Sequence, residues 1–263
     1  MEKSLEFRYA IPKPISGPVI EVSAAEVEQK LLKQLEDPKH ESTDTLWELA
    51  RLYQQTNQPE KGLDCLRQVL AHLADVEKKA GCVLALGQMM ESARDYPAAV
   101  RYYKEALSLE PMQTSVWYFI HNNLGYCLNT LSEFGQGELY CRKAIEIDAL
   151  RPNGFKNLGI ALTGQGQYQE AARCFVAATQ ADAGDGRAFG LLKALIKEHP
   201  ELEFEFQGYV DLCQKAVEFA AQKAQAMKPL VYTGWRRRLF LLRLNLLSIV
   251  RQLRNSSSKR NTT

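Results

Sequence analysis

The sequence lacks the short motifs that mark common catalytic and metal-binding sites. It has no His-Glu-x-x-His pair, no Gly-x-Ser-x-Gly and no Gly-x-x-x-x-Gly-Lys-[Ser/Thr] phosphate loop. Its six cysteines occur singly, and none of its four histidines has zinc-finger spacing. We therefore expect a protein that is not an enzyme, with no catalytic residues, no metal and no cofactor. The cysteines are interpreted as buried, small apolar residues.

A long apolar run is missing from the N-terminal part of the chain. The first 22 residues mix charged residues with three prolines, and no apolar stretch follows Met1. A secretory signal peptide or a first membrane-spanning helix requires such a stretch. The sequence therefore predicts a cytoplasmic location.

Acidic residues are absent from Phe219 onward, where the chain has ten Lys or Arg. Residues 1–218 carry 23 basic and 31 acidic side chains, so the body of the chain is acidic and the tail is basic. Such an asymmetry favours contact between the tail and an anionic surface. That surface is a lipid, a nucleic acid or the acidic body of the chain itself.

A Leu followed by a small residue recurs four times in the middle of the chain. The matching segments are Leu49-Ala50…Tyr53…Gly62, Leu86-Gly87…Met90…Ala99, Leu124-Gly125…Leu128…Gly137 and Leu158-Gly159…Leu162…Ala171. The spacings between the repeated Leu residues are 37, 38 and 34. Small residues at such intervals let adjacent helices bring their backbones together, so the pattern predicts stacked helical hairpins.

The last unit resembles the tetratricopeptide repeat, whose period is 34 residues. It places Phe155, Leu158, Gly159, Leu162, Tyr168, Ala171, Phe175 and Ala178 at the family's positions. The second unit does the same with Leu86, Gly87, Asp95-Tyr96, Ala99, Tyr103, Ala106 and Pro111. The resemblance implies an all-α fold, a right-handed superhelical solenoid of about four helical hairpins plus a partial one, with capping helices.

The first and third units depart from the family pattern at positions where the effect on the helices can be predicted. Pro59 replaces the usual aromatic residue at the start of a second helix. Proline is tolerated there because a backbone N–H in the first turn has no partner within the helix. The two longer spacings imply three and four extra residues, which either add a turn to a helix or lengthen a connection. The sequence leaves these two alternatives open.

The chain divides into four parts on these patterns. Residues 1–42 form an extended N-terminal arm and a capping helix opened by the capping box Ser23-Ala24-Ala25-Glu26. Residues 43–200 hold the repeats, and residues 201–227 form one long C-terminal capping helix. A solenoid needs such caps because its end repeats otherwise expose apolar surface. Residues 228–263 form a basic apolar helix and a disordered tail.

Candidate binding residues lie on the first helix of each hairpin, which in this family lines a concave groove. Asn122-Asn123 and Lys156-Asn157 precede the Leu-Gly pairs of the last two units. Asn offers one acceptor and two donor hydrogens, so Asn123 and Asn157, one repeat apart, suit the backbone of an extended peptide. The alternative is that the Asn side chains bond neighbouring helices or water, and the sequence leaves it open.

Some family members bind a partner's C-terminal carboxylate through Lys, Arg and Asn on successive first helices. Here the second unit presents Leu84 and Gln88 at those positions, so the sequence does not support such a site. An apolar or mixed groove fits better. The candidate groove residues are Leu84, Gln88, Asn122, Asn123, Tyr126, Lys156, Asn157 and Ile160.

The basic tail contains an amphipathic stretch. Leu239, Leu242, Leu246, Ile249, Val250 and Leu253 share one helical face. Arg243 near the middle argues against a membrane-spanning helix. Candidate contacts with an anionic surface are Trp235, Arg236, Arg237, Arg238 and Arg243. Three hypotheses stay open for this stretch: docking on the body or a partner protein, a helix on a membrane surface, or an extension without fixed structure.

The leading functional hypothesis is a non-catalytic scaffold or adaptor that binds a peptide segment or helix of another protein in its groove. One alternative is an adaptor tethered to a membrane surface by the basic tail, and another is an accessory or spacer domain of an enzyme complex. Nucleic acid is not the expected partner, because aromatic residues are not interleaved with the basic ones as base stacking requires. The partner, its motif, the biological process and the oligomeric state are not determined by the sequence.

Overall fold

The computed structural model describes residues 8–11, 20–37 and 42–226 of the 263-residue chain. Two short strands, β1 (Arg8–Ile11) and β2 (Ile20–Ser23), precede the helices. The helices are α1 (Ala24–Leu35), α2 (Ser42–Gln55), α3 (Pro59–His72), α4 (Val76–Ser92), α5 (Tyr96–Ser108), α6 (Thr114–Thr130), α7 (Phe134–Ile147), α8 (Pro152–Gly164), α9 (Tyr168–Ala181), α10 (Arg187–Glu198) and α11 (Glu203–Ala226). A short 3₁₀ turn, Pro200–Leu202, joins the last two.

The N-terminal part combines a β-hairpin with the first helix. β1 and β2 pair antiparallel, with Arg8 opposite Ser23, so the predicted extended arm contains a two-stranded ladder that the all-α expectation did not include. The predicted capping box is present: the Glu26 N–H donates to Ser23 Oγ (3.2 Å) and the Ser23 N–H donates to the Glu26 carboxylate (2.6 Å). Leu31 and Leu35 of α1 pack against the core formed by α2 and α3, so α1 covers that end of the stack.

Helical hairpins make up the rest of the described chain. The pairs α2–α3, α4–α5, α6–α7 and α8–α9 follow one another, and α10–α11 packs on α9. The expected all-α repeat fold is confirmed for this region. Helices α4 and α6 have 17 residues, whereas α2 has 14 and α8 has 13. The extra residues behind the long spacings therefore add a helical turn, which decides between the two alternatives.

The turn inside each of the four regular hairpins has the same geometry. One residue per turn has a positive φ: Asn57 (57°), Arg94 (63°), Ser132 (63°) and Gly166 (76°). Each is followed by an N–H that donates to the carbonyl five residues earlier, at 2.8–2.9 Å. This bond pattern closes a helix C-terminus through a left-handed residue. The sequence intervals between these residues are again 37, 38 and 34.

The two helices of a hairpin touch through their small residues. A Cβ added to Gly87 of α4 would lie 2.4 Å from the Tyr103 ring of α5, and one added to Gly159 of α8 would lie 2.5 Å from the Phe175 ring of α9. Both rings are buried, at 0% and 2% exposure. The glycines therefore set the distance between the paired helices, as the Leu-small pattern predicts.

The last hairpin departs from the regular repeat. Pro200 occupies the 3₁₀ turn before α11, and Leu202, Phe206 and Cys213 enter the same core as Phe189 and Leu192 of α10. Helix α11 covers α9 and α10 from this side. It lies where the sequence predicts one long C-terminal helix.

Gly159→Ala should lower the free energy of unfolding by about 1–3 kcal/mol, because the new methyl group overlaps the buried Phe175 ring, which must shift to make room. Gly81→Ala on α4 is the control, since a Cβ there meets nothing within 4 Å. The control should raise stability by about 0.5–1 kcal/mol through helix propensity. Urea denaturation of both variants measures the difference, and equal effects would contradict the packing argument.

Ser132→Gly should raise the free energy of unfolding by about 0.5–1 kcal/mol. Relief of the left-handed conformation contributes about 1–2 kcal/mol, and the added entropy of the unfolded chain removes part of it. Gly166→Ala, at the same turn position two helices later, should lower stability by about 1 kcal/mol. Thermal or urea unfolding tests both changes, and an effect of the same sign in the two turns would contradict the assigned geometry.

Candidate functional site

The first helices of neighbouring hairpins lie side by side. Helix α4 contacts α6, and α6 contacts α8. The candidate groove residues are distributed over these three helices: Leu84 and Gln88 on α4, Asn122, Asn123 and Tyr126 on α6, and Lys156, Asn157 and Ile160 on α8. The grouping depends on the stacking and not on any single helix.

Three of these eight side chains are buried. Leu84 is 8% exposed and packs in the core with α5 and α6 residues, while Asn122 and Asn157 are 7% and 3% exposed. The other five, Gln88, Asn123, Tyr126, Lys156 and Ile160, are half-buried. Of the eight predicted residues, these five have side-chain surface available for binding.

The Asn side chains form a directed chain of hydrogen bonds between helices. The Asn157 amide donates to Asn122 Oδ1 (3.1 Å), and the Asn122 amide donates to Asn123 Oδ1 (3.0 Å). The Asn123 amide then donates to the Tyr103 hydroxyl (3.4 Å). These are the inter-helix bonds that the sequence left open as an alternative. Asn123 and Asn157 are thus linked through Asn122.

The chain of bonds ends at an acidic side chain. The Tyr103 hydroxyl donates to Glu91 Oε2 at 2.7 Å. Burial raises the pKa of the Glu91 carboxyl, and the bond from Tyr103 opposes this rise. Burial and the neighbouring Glu91 also raise the pKa of Tyr103. The network therefore links α4, α5, α6 and α8. The hydrogen bond that Tyr103 donates stabilises the buried Glu91 carboxylate at its end.

Asn129 adds a bond from α6 to the α8 backbone. Its amide donates to the Asn157 carbonyl oxygen at 2.8 Å, and Asn129 is 6% exposed. The Asn157 and Asn129 side-chain oxygens are buried and have no partner within the described structure. The side-chain amides of Asn129 and Asn157 therefore both form hydrogen bonds between α6 and α8.

A group of partly exposed side chains lies beside this network. The rings of Tyr96, at the start of α5, and Tyr126 meet edge to face with centroids 6.2 Å apart. The pKa of Tyr126 is raised mainly by burial. Its hydrogen bond with Tyr96 and the charge of Glu91 raise it further. Tyr126 also lies near Arg187, at the start of α10. We call Tyr96, Tyr126, Lys156 and Arg187 the groove cluster.

The groove cluster is positive at one end. Burial lowers the pKa of Lys156, and the nearby charge of Arg187 lowers it further. Arg187 Nε donates to both oxygens of Asp185, at 2.8 and 2.9 Å, and this bond holds the pKa of Asp185 at about 2. The Lys156 ammonium donates instead to Asn153 Oδ1 at 2.8 Å, so only Arg187 of these two cations is paired with a carboxylate in the described part of the chain. A second anion placed near Lys156 would be attracted.

Sequence reasoning missed four residues of this region: Glu91, Tyr96, Tyr103 and Arg187. Tyr96 and Tyr103 occupy repeat positions, so the pattern assigned them to packing only. Arg187 lies in the hairpin that departs from the repeat, where the spacing gives no register. Tertiary stacking alone brings Arg187 near Lys156.

A depression with a volume of about 480 Å³ is lined by residues of α7, α8 and α9. Ile145, Phe155 and Leu158 are among its lining residues. Its charged rim is internally paired, since Arg142 donates to Glu138 (2.7 Å) and Glu170 (2.6 Å). In the groove cluster, by contrast, Lys156 is a cation without a carboxylate partner in the described part of the chain.

The candidate tail contacts Trp235, Arg236, Arg237, Arg238 and Arg243 lie outside the described residues. Among the helices of the described part, none combines the length and apolar character needed to cross a bilayer. Within the same residues, no three His, Cys, Asp or Glu side chains are grouped as a metal site requires.

Comparison with known proteins supports the fold. No family model and no curated protein matches the sequence. Among solved structures, BtubC (BKLC) from P. vanneervenii is 18% identical, with a TM-score of 0.56 over 80% of this chain and 92% of that one. MamA (41-end) from Desulfovibrio magneticus RS-1 is 13% identical, with a TM-score of 0.52 over 71% of this chain and 97% of that one. A MamA RS-1 double mutant is 15% identical, with a TM-score of 0.53 over 66% of this chain and 95% of that one.

The repeated hairpins, their common turn and the glycine–ring contacts occur at the positions of the repeat pattern. The chain has the tetratricopeptide-repeat fold. Within this fold the Leu-Gly pairs serve packing. In this chain, the residues just before two of these pairs join the hairpins or face the groove cluster.

Tyr103→Phe should destabilise the chain more at pH 8 than at pH 5. Burial raises the Glu91 pKa above its ordinary 4.5, so the folded state binds a proton more tightly and stability falls as pH rises toward the raised pKa. Removing the Tyr103 donor raises this pKa further. The loss at pH 8 should be about 1.5–3 kcal/mol, with a smaller loss at pH 5.

Urea denaturation at the two pH values measures this effect. Tyr140→Phe on α7 is the control, because it removes a partly buried phenol oxygen from a different helix pair. The control should change stability equally at both pH values. A Tyr103→Phe effect without pH dependence would contradict the role assigned to Glu91.

Proposed function

We propose that this chain is a non-catalytic scaffold that binds a segment of a partner protein against its first helices. The observation that carries the proposal is the groove cluster, in which Tyr126, Lys156 and Arg187 come from three successive hairpins and lie near one another. A tetratricopeptide-repeat fold suits this use, because stacked repeats create an extended binding wall.

The groove cluster favours a segment of particular chemistry. Tyr96 and Tyr126 offer ring faces and edges to an apolar or aromatic side chain. Lys156 and Arg187 offer donors to a carboxylate, and a hydrogen bond to a charged group contributes about 1.5–3 kcal/mol. We therefore propose a partner segment with an acidic side chain next to an apolar one.

The buried Asn network supports this binding wall indirectly. Asn122 and Asn157 fix α6 against α8, and Asn123 is half-buried beside Tyr103. A wall that is rigid before binding loses less conformational entropy when a segment docks. We assign Asn122 and Asn157 to positioning, while Gln88, Asn123, Tyr126, Lys156 and Ile160 contact the segment.

The cytoplasmic location and the membrane-tethered alternative are expectations from the sequence. The tethered form depends on residues 235–254, which lie outside the described residues. The groove cluster does not require a membrane. The proposal therefore concerns the protein partner, and the spacer-domain alternative becomes an outcome of its test.

Lys156→Glu should weaken partner binding at least tenfold, which corresponds to about 1.4 kcal/mol, because it reverses the charge that faces the partner's carboxylate. Tyr126→Ala should weaken it through lost ring contact. The experiment captures partners from a cytosolic extract on the immobilised chain, maps the bound segment, and measures its affinity by fluorescence anisotropy. Affinity for the wild-type chain should also fall with rising salt.

Lys143→Glu is the matched control. Lys143 is exposed on the second helix α7, where it pairs with Glu146 at 2.8 Å, so its reversal changes the net charge equally without touching the groove cluster. Retained binding by both Lys156→Glu and Tyr126→Ala would overturn the groove assignment. Capture of no segment by the wild-type chain would favour the spacer-domain alternative.

A further inference from the structure

Helix α11 carries an apolar face that the described part of the chain leaves largely exposed. Phe206 and Cys213 point into the core and are buried, at 1% and 2% exposure. A second face carries Tyr209, Leu212 and Phe219, which are 47%, 59% and 68% exposed. We define the outer stripe as this face, which consists of Tyr209, Leu212, Ala216 and Phe219.

The second half of α11 projects beyond the helices on which the first half packs. Leu202, Phe206 and Cys213 are buried, whereas no described residue after Cys213 is. Residues 221–225 are all exposed. Most of the stability of a helix in a protein comes from packing of its apolar face. The projecting half therefore lacks the contacts that usually stabilise such a helix, and the outer stripe runs along it.

A charged residue lies beyond each end of the outer stripe, on the same face of the helix. Glu205 precedes Tyr209 by four residues, and Lys223 follows Phe219 by four. From Glu205 to Lys223 the intervals are four, three, four, three and four residues, which keeps the whole series on one face. The series has the same intervals from either end, and its two charges have opposite signs.

This symmetry suits an antiparallel pairing of α11 with α11 of a second copy of the chain. A two-fold axis level with Gln214 sets Tyr209 opposite Phe219 of the second copy, and Leu212 opposite its Ala216. Alternating intervals of three and four residues are those of paired coiled-coil helices. The projecting half of each α11 then lies along the first half of the other.

The same register brings opposite charges together twice. Glu205 lies opposite Lys223 of the second copy, and Lys223 lies opposite its Glu205. Arg173 of α9 donates to Glu205 Oε1 at 2.9 Å, and within the described residues no donor reaches Oε2. Lys223 is exposed and forms no ion pair in the described part of the chain. A parallel pairing would set like charges against each other instead.

The other charges of α11 do not oppose this register. Glu203, Asp211 and Glu218 lie on other sides of the helix, where Gln207 donates to Asp211 at 2.9 Å. Lys215 borders the outer stripe and is exposed. Its long side chain keeps the ammonium group in solvent. Glu205 and Lys223 are therefore the charges that decide how two stripes meet.

We propose that two copies of this chain associate through antiparallel pairing of their outer stripes. One helix pair gives an interface at the small end of the range, so we expect a dissociation constant of about 1–100 µM. The surface does not include the groove cluster, so this inference is independent of the proposed function. Its tests require no partner protein.

Sedimentation equilibrium of the full chain measures the association. The wild-type chain should pass from monomer to dimer as its concentration rises. Phe219→Glu should weaken dimerisation at least tenfold, because it places a carboxylate where an apolar ring meets Tyr209 of the second copy. Phe204→Glu is the matched control, since Phe204 is exposed on another side of α11 and should leave the dimer unchanged.

Circular dichroism checks that both variants keep their helices. A wild-type chain that remains a monomer at millimolar concentration would overturn the proposal and assign the stripe to the residues after 226 or to another protein. Equal effects of Phe219→Glu and Phe204→Glu would also overturn it, because the dimer would then form through a different surface.

Charge reversal tests the register. Glu205→Lys and Lys223→Glu should each weaken dimerisation about fivefold, since exposed ion pairs are weak and each change affects two of them. The two changes combined should restore it, because opposite charges then face each other again. Glu205 and Lys223 are about 27 Å apart along one helix, so only a second copy brings them together. A combined variant as weak as the single ones would overturn the antiparallel pairing.

Disulfide formation between two different variants gives an independent measurement. The six native cysteines are buried, so a mild oxidant reaches the introduced thiols. A mixture of Tyr209→Cys and Phe219→Cys chains should form at least fivefold more covalent dimer than either variant alone, because these positions face each other only between copies. Equal yields in the mixture and in the separate variants would contradict this register and overturn the proposal.

Discussion

Close contact between the two helices of each hairpin is the constraint on which the rest of this structure depends. Gly87 and Gly159 leave room for the buried rings of Tyr103 and Phe175, and no side chain larger than hydrogen fits there without movement. The paired helices are therefore close together, and successive first helices lie side by side, α4 against α6 and α6 against α8. The binding wall follows from this stacking.

Buried hydrogen bonds between side chains help to fix the position of each hairpin against the next. The chain of donors from Asn157 through Asn122, Asn123 and Tyr103 to Glu91 crosses three hairpins. Buried amides are costly when unpaired, so such a network disfavours any slip of one hairpin against the next. The same residues that the sequence offers for peptide binding are therefore largely engaged in fixing the wall. Of the predicted residues, Gln88, Tyr126, Lys156 and Ile160 remain available on the surface, and two of them belong to the groove cluster.

Local patterns predicted the elements of this fold in detail. The capping box at Ser23, the helix start at Pro59 and the long helix after Pro200 are present because each depends on neighbours within a few residues. The β-hairpin was not predicted, because its pairing joins residues on both sides of a proline-rich segment. The position of the extra turns in α4 and α6 also needed the structure, since the spacing alone fits two alternatives.

By itself, the sequence determined the repeat, the helix-packing glycines and the charge separation between body and tail, because these depend on residue type and interval alone. It also placed Lys156 and Tyr126 on first helices. Only the tertiary structure decided that Asn157 is buried against Asn122 and that Arg187 lies near Lys156. Burial, and contact between residues 31 positions apart, depend on how the hairpins stack. The α10–α11 hairpin does not follow the repeat pattern, so the sequence spacing could not predict where Arg187 lies.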